Sequence, residues 1–252
     1  MRAAVSIGIT GRVAASDVRA FAPRVEELGF RALWVNDVPG GDSLAALAAA
    51  AEVTTTLRLA TGVVPLDRRP VATLDLDGLL AERLTLGIGS GGLAHPLGAM
   101  RAGLDELRTR TEAELVLGAL GPRLRRLAAE RADGVLLNWL TPAGAESAMA
   151  DLRRDAGERR ARGILYVRTI VDDASRPALE QEAARYARIP AYAANLERQG
   201  AQAMDATLTS ADGLAAYDIV DELVLRAITP TGSLDELVDF AEAAASWVEA
   251  AR

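Results

Sequence analysis

The residues of this sequence that could do chemistry are glycines, amides and arginines beside short apolar runs. They suit binding better than proton transfer. The clearest group is Gly118-Ala119-Leu120-Gly121-Pro122-Arg123, placed between the apolar run Leu115–Leu117 and a segment where Leu124, Leu127 and Ala128 recur at helical spacing. Pro122 fits the first turn of that helix. Bare N–H groups at a helix N-terminus, with Arg123 beside them, would take a phosphate. A second group, Gly87-Ile88-Gly89-Ser90-Gly91-Gly92, has the spacing of a dinucleotide fingerprint. It follows the fourth apolar run rather than the first, and Leu93-Ala94-His95-Pro96 interrupts any helix, so that reading is discounted. His95, the single histidine, could donate a proton because imidazole titrates near neutrality. Asn36-Asp37 ends another apolar run and offers either a functional acid or a helix-capping turn.

Composition removes many alternatives. The 252 residues carry a formal charge of −7, which disfavours nucleic acid and anionic membrane surfaces as partners. There is no cysteine, so disulfides, thiolate metal sites and cysteine nucleophiles are absent. All 28 basic residues are arginine, which excludes Schiff-base chemistry and a Walker lysine. One histidine cannot build a histidine-rich metal centre, so no metal is expected. No run is long enough to span a bilayer and the first residues lack a signal-peptide pattern, so a cytoplasmic protein is expected. Chemistry should come from a bound cofactor acting on a small-molecule substrate.

Eight apolar runs read as strands: Ala3–Ile9, Arg31–Val35, Leu57–Val64, Leu84–Ile88, Leu115–Leu117, Val135–Leu137, Ile164–Val171 and Glu222–Ile228. Helices are predicted between them: from Ser16 or Asp17 to Leu28, over Leu44–Val53, Pro70–Ala81, Leu104–Thr111, Pro122 to Asp133, Pro142–Gly157, Arg176–Arg198 and Ala201–Ala216, then from Ser233 through Trp247. Leu44–Val53 is nearly all alanine and leucine, so it should be buried on both sides, and a homodimer interface is one way to do that. Apolar, non-alternating strands separated by helices mean a parallel sheet covered on both faces. Eight such units in this length predict a closed (β/α)8 TIM barrel forming one domain over residues 1–252. In such a barrel the site lies at the C-terminal ends of the strands. That rule gathers Asn36, Asp37, Gly62, Val63, Gly89, Ser90, Gly91, Ala119, Gly121, Asn138, Trp139 and Thr229. The set suits a flat hydrogen-bonding ring with a phosphate tail. Thr231-Gly232-Ser233 is a rival phosphate loop or a plain helix cap, and Trp34 is assigned to the core.

Ala119-Leu120-Gly121-Pro122-Arg123, followed by Ala132-Asp133-Gly134-Val135-Leu136-Leu137-Asn138-Trp139, resembles the fifth and sixth strands of the bacterial-luciferase-like monooxygenase family. Within it the sequence is most similar to the branch using the deazaflavin F420. The resemblance implies a TIM barrel and flavin-type redox chemistry. It implies a non-proline cis peptide within Thr61-Gly62-Val63-Val64-Pro65, set against the ring, and the glycine segment Gly87–Gly92 beside the cofactor. Asn36-Asp37 resembles the family's second-strand pair near the ring, although many relatives of the F420 type carry a histidine there. The region from Gly92 to Ala113 is shorter than in typical members, which would leave the site open. Three functions remain: an F420-dependent oxidoreductase, an FMN-dependent monooxygenase, and a cofactor-poor barrel acting as a binding or partner subunit.

Overall fold

The structure is a computed structural model and describes residues 1–251. Eight parallel strands close into a barrel: β1 (Ala4–Thr10), β2 (Ala32–Asn36), β3 (Arg58–Thr61), β4 (Leu84–Gly89), β5 (Glu114–Gly118), β6 (Gly134–Asn138), β7 (Arg162–Thr169) and β8 (Glu222–Ala227). Closure comes from β8, which pairs with β7 on one side and β1 on the other. Eight helices follow in order: α1 (Ala15–Glu27), α2 (Ser43–Ala51), α3 (Pro96–Arg108), α4 (Pro122–Arg131), α5 (Pro142–Ala156), α6 (Arg176–Ala187), α7 (Pro190–Glu197) and α8 (Leu234–Ala250).

Four of the predicted helices differ. Pro70–Ala81 forms only a single 3-10 turn, Val71–Thr73. Gly78 has φ +75°, and Asp75 folds back to accept from the Asp77 N–H, so the segment runs in turns, with Leu74 buried and Leu80 exposed. The short helix expected over Leu104–Thr111 starts at Pro96 instead, where proline occupies the first turn. The long helix expected over Arg176–Arg198 is two, because Pro190 disfavours helical φ/ψ at Ile189. Ala201–Ala216 is two 3-10 turns around a short strand, Thr207–Leu208, that pairs with β7. Helix α2 packs with Leu44 and Leu47 buried and leaves Ala45 exposed, so within one chain it is covered on one side. Among the described residues no helix is long and apolar enough to cross a membrane.

Strand parity divides the core. Outward residues such as Ile7, Ile9, Leu33, Val35, Leu115, Leu117, Leu223 and Leu225 pack beneath the helices. Inward residues Ala32, Trp34, Ala60, Val116, Leu136, Ile164, Tyr166 and Val224 fill the barrel axis. Trp34 is there, as expected, edge-on to Tyr166 at 5.9 Å. Below this plug, at the N-terminal ends of the strands, lies a charged floor. Glu222 is 1% exposed and accepts from Ser6 Oγ at 2.7 Å, Trp34 Nε1 at 2.7 Å and Arg162 Nη1 at 3.0 Å. Arg162 also grips Glu114 with two bonds of 2.6 and 2.8 Å.

Candidate functional site

At the opposite end of the barrel the mouth has two unlike halves. One half is made by the glycine-bearing ends of β3, β4 and β5. The Gly62–Val63 peptide is cis, as the resemblance implies. Val63 lies over Gly89 and Gly118: a Cβ on Gly89 would stand 2.5 Å from Val63 Cγ2, and one on Gly118 would stand 3.0 Å from Val63 Cγ1. Those two glycines therefore make room for a side chain of this protein. Gly91, at φ +54°, is backed by the Asp67 carboxylate, which also accepts from the Gly92 N–H at 2.8 Å. Ser90 and Val63 remain partly exposed, at the edge of the opening.

The other half is made by β2, β6, β7 and β8, and it is charged. Arg168 of β7 and Arg226 of β8 are register partners on neighbouring strands, 2% and 8% exposed. Arg168 donates to Asn138 Oδ1 and, at 2.9 Å, to Glu182 of α6. Its guanidinium lies 4.4 Å from the Trp139 ring centre and 4.8 Å from that of Tyr186. Arg226 donates through Nε to Asn36 Oδ1 at 2.9 Å and through Nη1 to the Ala227 carbonyl. The Asn36 amide in turn donates to the Gly62 carbonyl, tying this half to the cis peptide. Burial would lower the basicity of Arg168, but the charge and hydrogen bond of Glu182, with Tyr186 and Tyr192, together outweigh it and raise it. Burial lowers that of Arg226, and the neighbouring Arg168 charge adds to the effect, outweighing Glu182. Burial would raise the Glu182 carboxyl, and Arg168, Arg226 and Arg185 together hold it below the ordinary range.

Helices α6 and α7 roof this charged half. Asn195 of α7 donates to the Trp139 carbonyl at 2.9 Å and to the Asn138 carbonyl at 3.2 Å, and it accepts from Arg125 at 2.9 Å. Trp139 takes a left-handed backbone, φ +53°, and is fully buried. Its ring faces Arg168 and Tyr186, so it is part of the roof and not a platform open to a ligand. Its indole N–H and the Tyr166 hydroxyl are the buried side-chain polar atoms left without a partner among the described residues.

The remaining candidates fall elsewhere. Asp37 is buried and accepts from Ser43 Oγ at 3.0 Å, Arg68 at 3.2 Å and Arg69 at 2.7 Å, so its carboxylate braces the loop after β2. His95, Gly121 and Arg123 come together. They line a cleft of about 440 Å³ between Ala94–Gly98 and Gly121–Leu124. Two helices open onto it, α3 after His95 and α4 after Gly121, and neither has a side-chain cap. Their dipoles add there, and Arg123 supplies a charge, so the cleft suits an anion. Ala119 is buried just behind it, its N–H bonded to the Leu136 carbonyl at 3.1 Å. At the rival loop the Thr231 and Gly232 N–H groups are held by Glu236 at 2.9 and 2.8 Å, and Ser233 caps α8, so those amides are used.

Sequence reasoning missed Arg168, Arg226, Glu182 and Tyr166. A signal existed for the arginines, since each interrupts an otherwise apolar buried strand at inward parity. Glu182 had none, because its reach into the mouth depends on where α6 docks.

Comparison with solved structures supports the fold. The F420-dependent tetrahydromethanopterin reductase from Methanopyrus kandleri superposes with a TM-score of 0.72 at 16% identity, covering 94% of this chain and 97% of that one. An F420-dependent secondary alcohol dehydrogenase in complex with an F420-acetone adduct gives 0.74 at 14% identity, covering all of both chains. The oxygenating constituent of 3,6-diketocamphane monooxygenase from Pseudomonas putida, in complex with FMN, gives 0.70 at 14% identity over 96% and 97%. A profile of luciferase-like monooxygenases matches residues 3–116 and 105–248. The chain belongs to the luciferase-like monooxygenase family.

Proposed function

We propose that this protein is an F420-dependent oxidoreductase acting on a small organic substrate. The observation carrying this reading is the cleft where the uncapped N-termini of α3 and α4 meet Arg123. It fits a phosphate, and its open form lets a chain continue beyond a phosphodiester, as F420 requires and FMN does not. The ring end would lie toward Val63, Ser90, Asn36 and Asn138, which are the partly exposed residues of the mouth. When bound, the deazaflavin supplies a two-electron hydride acceptor or donor.

The chain's own groups then bind and orient. Arg123 and the two helix ends hold the phosphate, and His95 stands at that end, so we assign it to the anion and not to proton transfer. Asp37 has its acceptor sites filled by Ser43, Arg68 and Arg69 and is assigned to support. The loop from Ser90 to His95 enters α3 directly, without the cover that a flavin–oxygen intermediate would need.

A second reading, a binding barrel without a cofactor, is favoured by one observation: Val63 occupies the space above Gly89 and Gly118. Fluorescence titration with F420 and with FMN separates the readings. The expected result is F420 binding, FMN binding at least about tenfold more weakly, and loss of about tenfold or more in Gly121→Asp with an unchanged melting temperature. A Cβ at Gly121 meets nothing within 4 Å, so that substitution tests charge and not packing. Tighter FMN binding would favour the monooxygenase, and no binding of either would leave the barrel without a cofactor.

A further inference from the structure

We propose that Arg168 and Arg226 form an anion-binding fork at the barrel mouth, and that its ligand is a small organic acid held through its carboxylate. The site is separate from the phosphate cleft. It gives the oxidoreductase reading a substrate class, but it is argued, and tested, without any cofactor.

The argument begins with unused donors. A guanidinium carries five N–H groups. Arg168 uses Nε and Nη1, and Arg226 uses Nε and Nη1; neither Nη2 has an acceptor among the described residues. Neither Nη2 is sealed from solvent, because the sealed and unpartnered side-chain atoms are Trp139 Nε1 and Tyr166 Oη alone. Both side chains leave their strands at the inward parity of Tyr166 and Val224, one step nearer the mouth. They start from register partners on adjacent parallel strands, whose backbones lie about 4.8 Å apart.

Charge decides the class of ligand. Among the described residues Arg226 makes no ion pair, and Glu182 is the only carboxylate paired with Arg168. Two buried cations and one partly buried anion leave a single positive charge, and an isolated buried charge is costly. One monoanion cancels it. A phosphate dianion would overshoot and would also face Glu182. Glu182 already shows a carboxylate seated on Arg168, at 2.9 Å from Nε. The neighbouring rings of Trp139 and Tyr186 pack against Arg168 and hold it in place, so little order is lost when the fork is filled.

Isothermal titration of the full chain, free of cofactor, tests the fork with benzoate, its neutral isostere benzamide, and inorganic phosphate. Benzoate should bind saturably, with benzamide and phosphate each at least about tenfold weaker. Arg226→Gln should weaken benzoate by about tenfold or more, with Arg226→Lys between it and the parent. Glu182→Gln doubles the net positive charge and should tighten benzoate severalfold, which keeps the test decisive if Arg226→Gln does not fold. No benzoate binding, equal binding of benzamide, phosphate tighter than benzoate, or no gain in Glu182→Gln would each overturn the proposal. Failure of F420 to bind leaves this result standing, since the two titrations probe different residues.

Discussion

Replacing Glu222 with leucine tests what closes the barrel. Glu222 is the first residue of β8 and its carboxylate reaches β1 through Ser6, β2 through Trp34 and β7 through Arg162. Leucine keeps the volume and removes the acceptor. Two buried neutral donors, the Ser6 hydroxyl and the Trp34 N–H, then lose their partners at about 1–3 kcal/mol each. Arg162 keeps its paired bonds to Glu114 and so is not left unpaired. Arg31, 3.3 Å from Glu222 and 38% exposed, contributes little once solvent screening is counted. Against these losses, leucine removes the cost of a buried charge and adds apolar burial of about 1–2 kcal/mol. The expected net loss is about 3 kcal/mol. Glu222→Gln, which retains one acceptor oxygen, should lose only about half as much. Urea unfolding followed by far-UV circular dichroism reads the difference. With a slope of roughly 3 kcal/mol/M, the leucine variant should shift the midpoint down by about 1 M at unchanged slope. A leucine variant within about 0.5 kcal/mol of the parent, or a glutamine variant as damaged as the leucine one, would refute the acceptor argument.

Two other perturbations follow from the same geometry. Glu26 sits at the end of α1 and accepts from the N–H groups of Thr55, Thr56 and Leu57; burial would raise its carboxyl, but those bonds outweigh burial and hold it below its ordinary value of 4.5. Its contribution is therefore present above about pH 4.5 and lost as pH falls through the depressed folded value, so Glu26→Gln should cost about 1–2 kcal/mol at pH 7 and progressively less in acid, read by urea midpoints across pH. Asn195→Ala removes the bonds that dock α7 on the Asn138 and Trp139 carbonyls and should cost about 2–3 kcal/mol while speeding limited proteolysis within residues 172–206. Unchanged cleavage would mean that the roof is held by its aromatic contacts instead.

The barrel was legible because the strands are mainly apolar runs without polar alternation, the pattern a sheet covered on both faces requires. The segment Pro70–Ala81 was misread for a local reason: its leucines have helical spacing by count, but Gly78 and the two aspartates hold the chain in turns. The glycine-rich strand ends were read as cofactor contacts, and Gly62 is indeed at the cis bond. Gly89 and Gly118 also make room for Val63, which approaches from the segment after β3, and no sequence window contains that contact. Asp37 illustrates the same limit. Its type and place suggest chemistry, while the two arginines that occupy it arrive from about 30 residues along the chain.

The two ends of the barrel argue together about purpose. Both carry arginines facing inward from strands, and both lie against the same apolar plug. At the floor, Glu114 and Glu222 share Arg58 and Arg162, and the floor arginines are 24–38% exposed, so water relieves whatever charge remains. At the mouth the arginines are buried more deeply, yet they have one carboxylate between them, and it comes from a helix that roofs the barrel and not from a strand. If structure alone set these residues, the deeper pair would need the fuller complement of anions, because the cost of an unpaired charge rises as water is removed. The arrangement is the reverse. A glutamine or leucine at position 226 would satisfy Asn36 or fill the space at lower cost. Arginine there is economical only if something negatively charged arrives from outside.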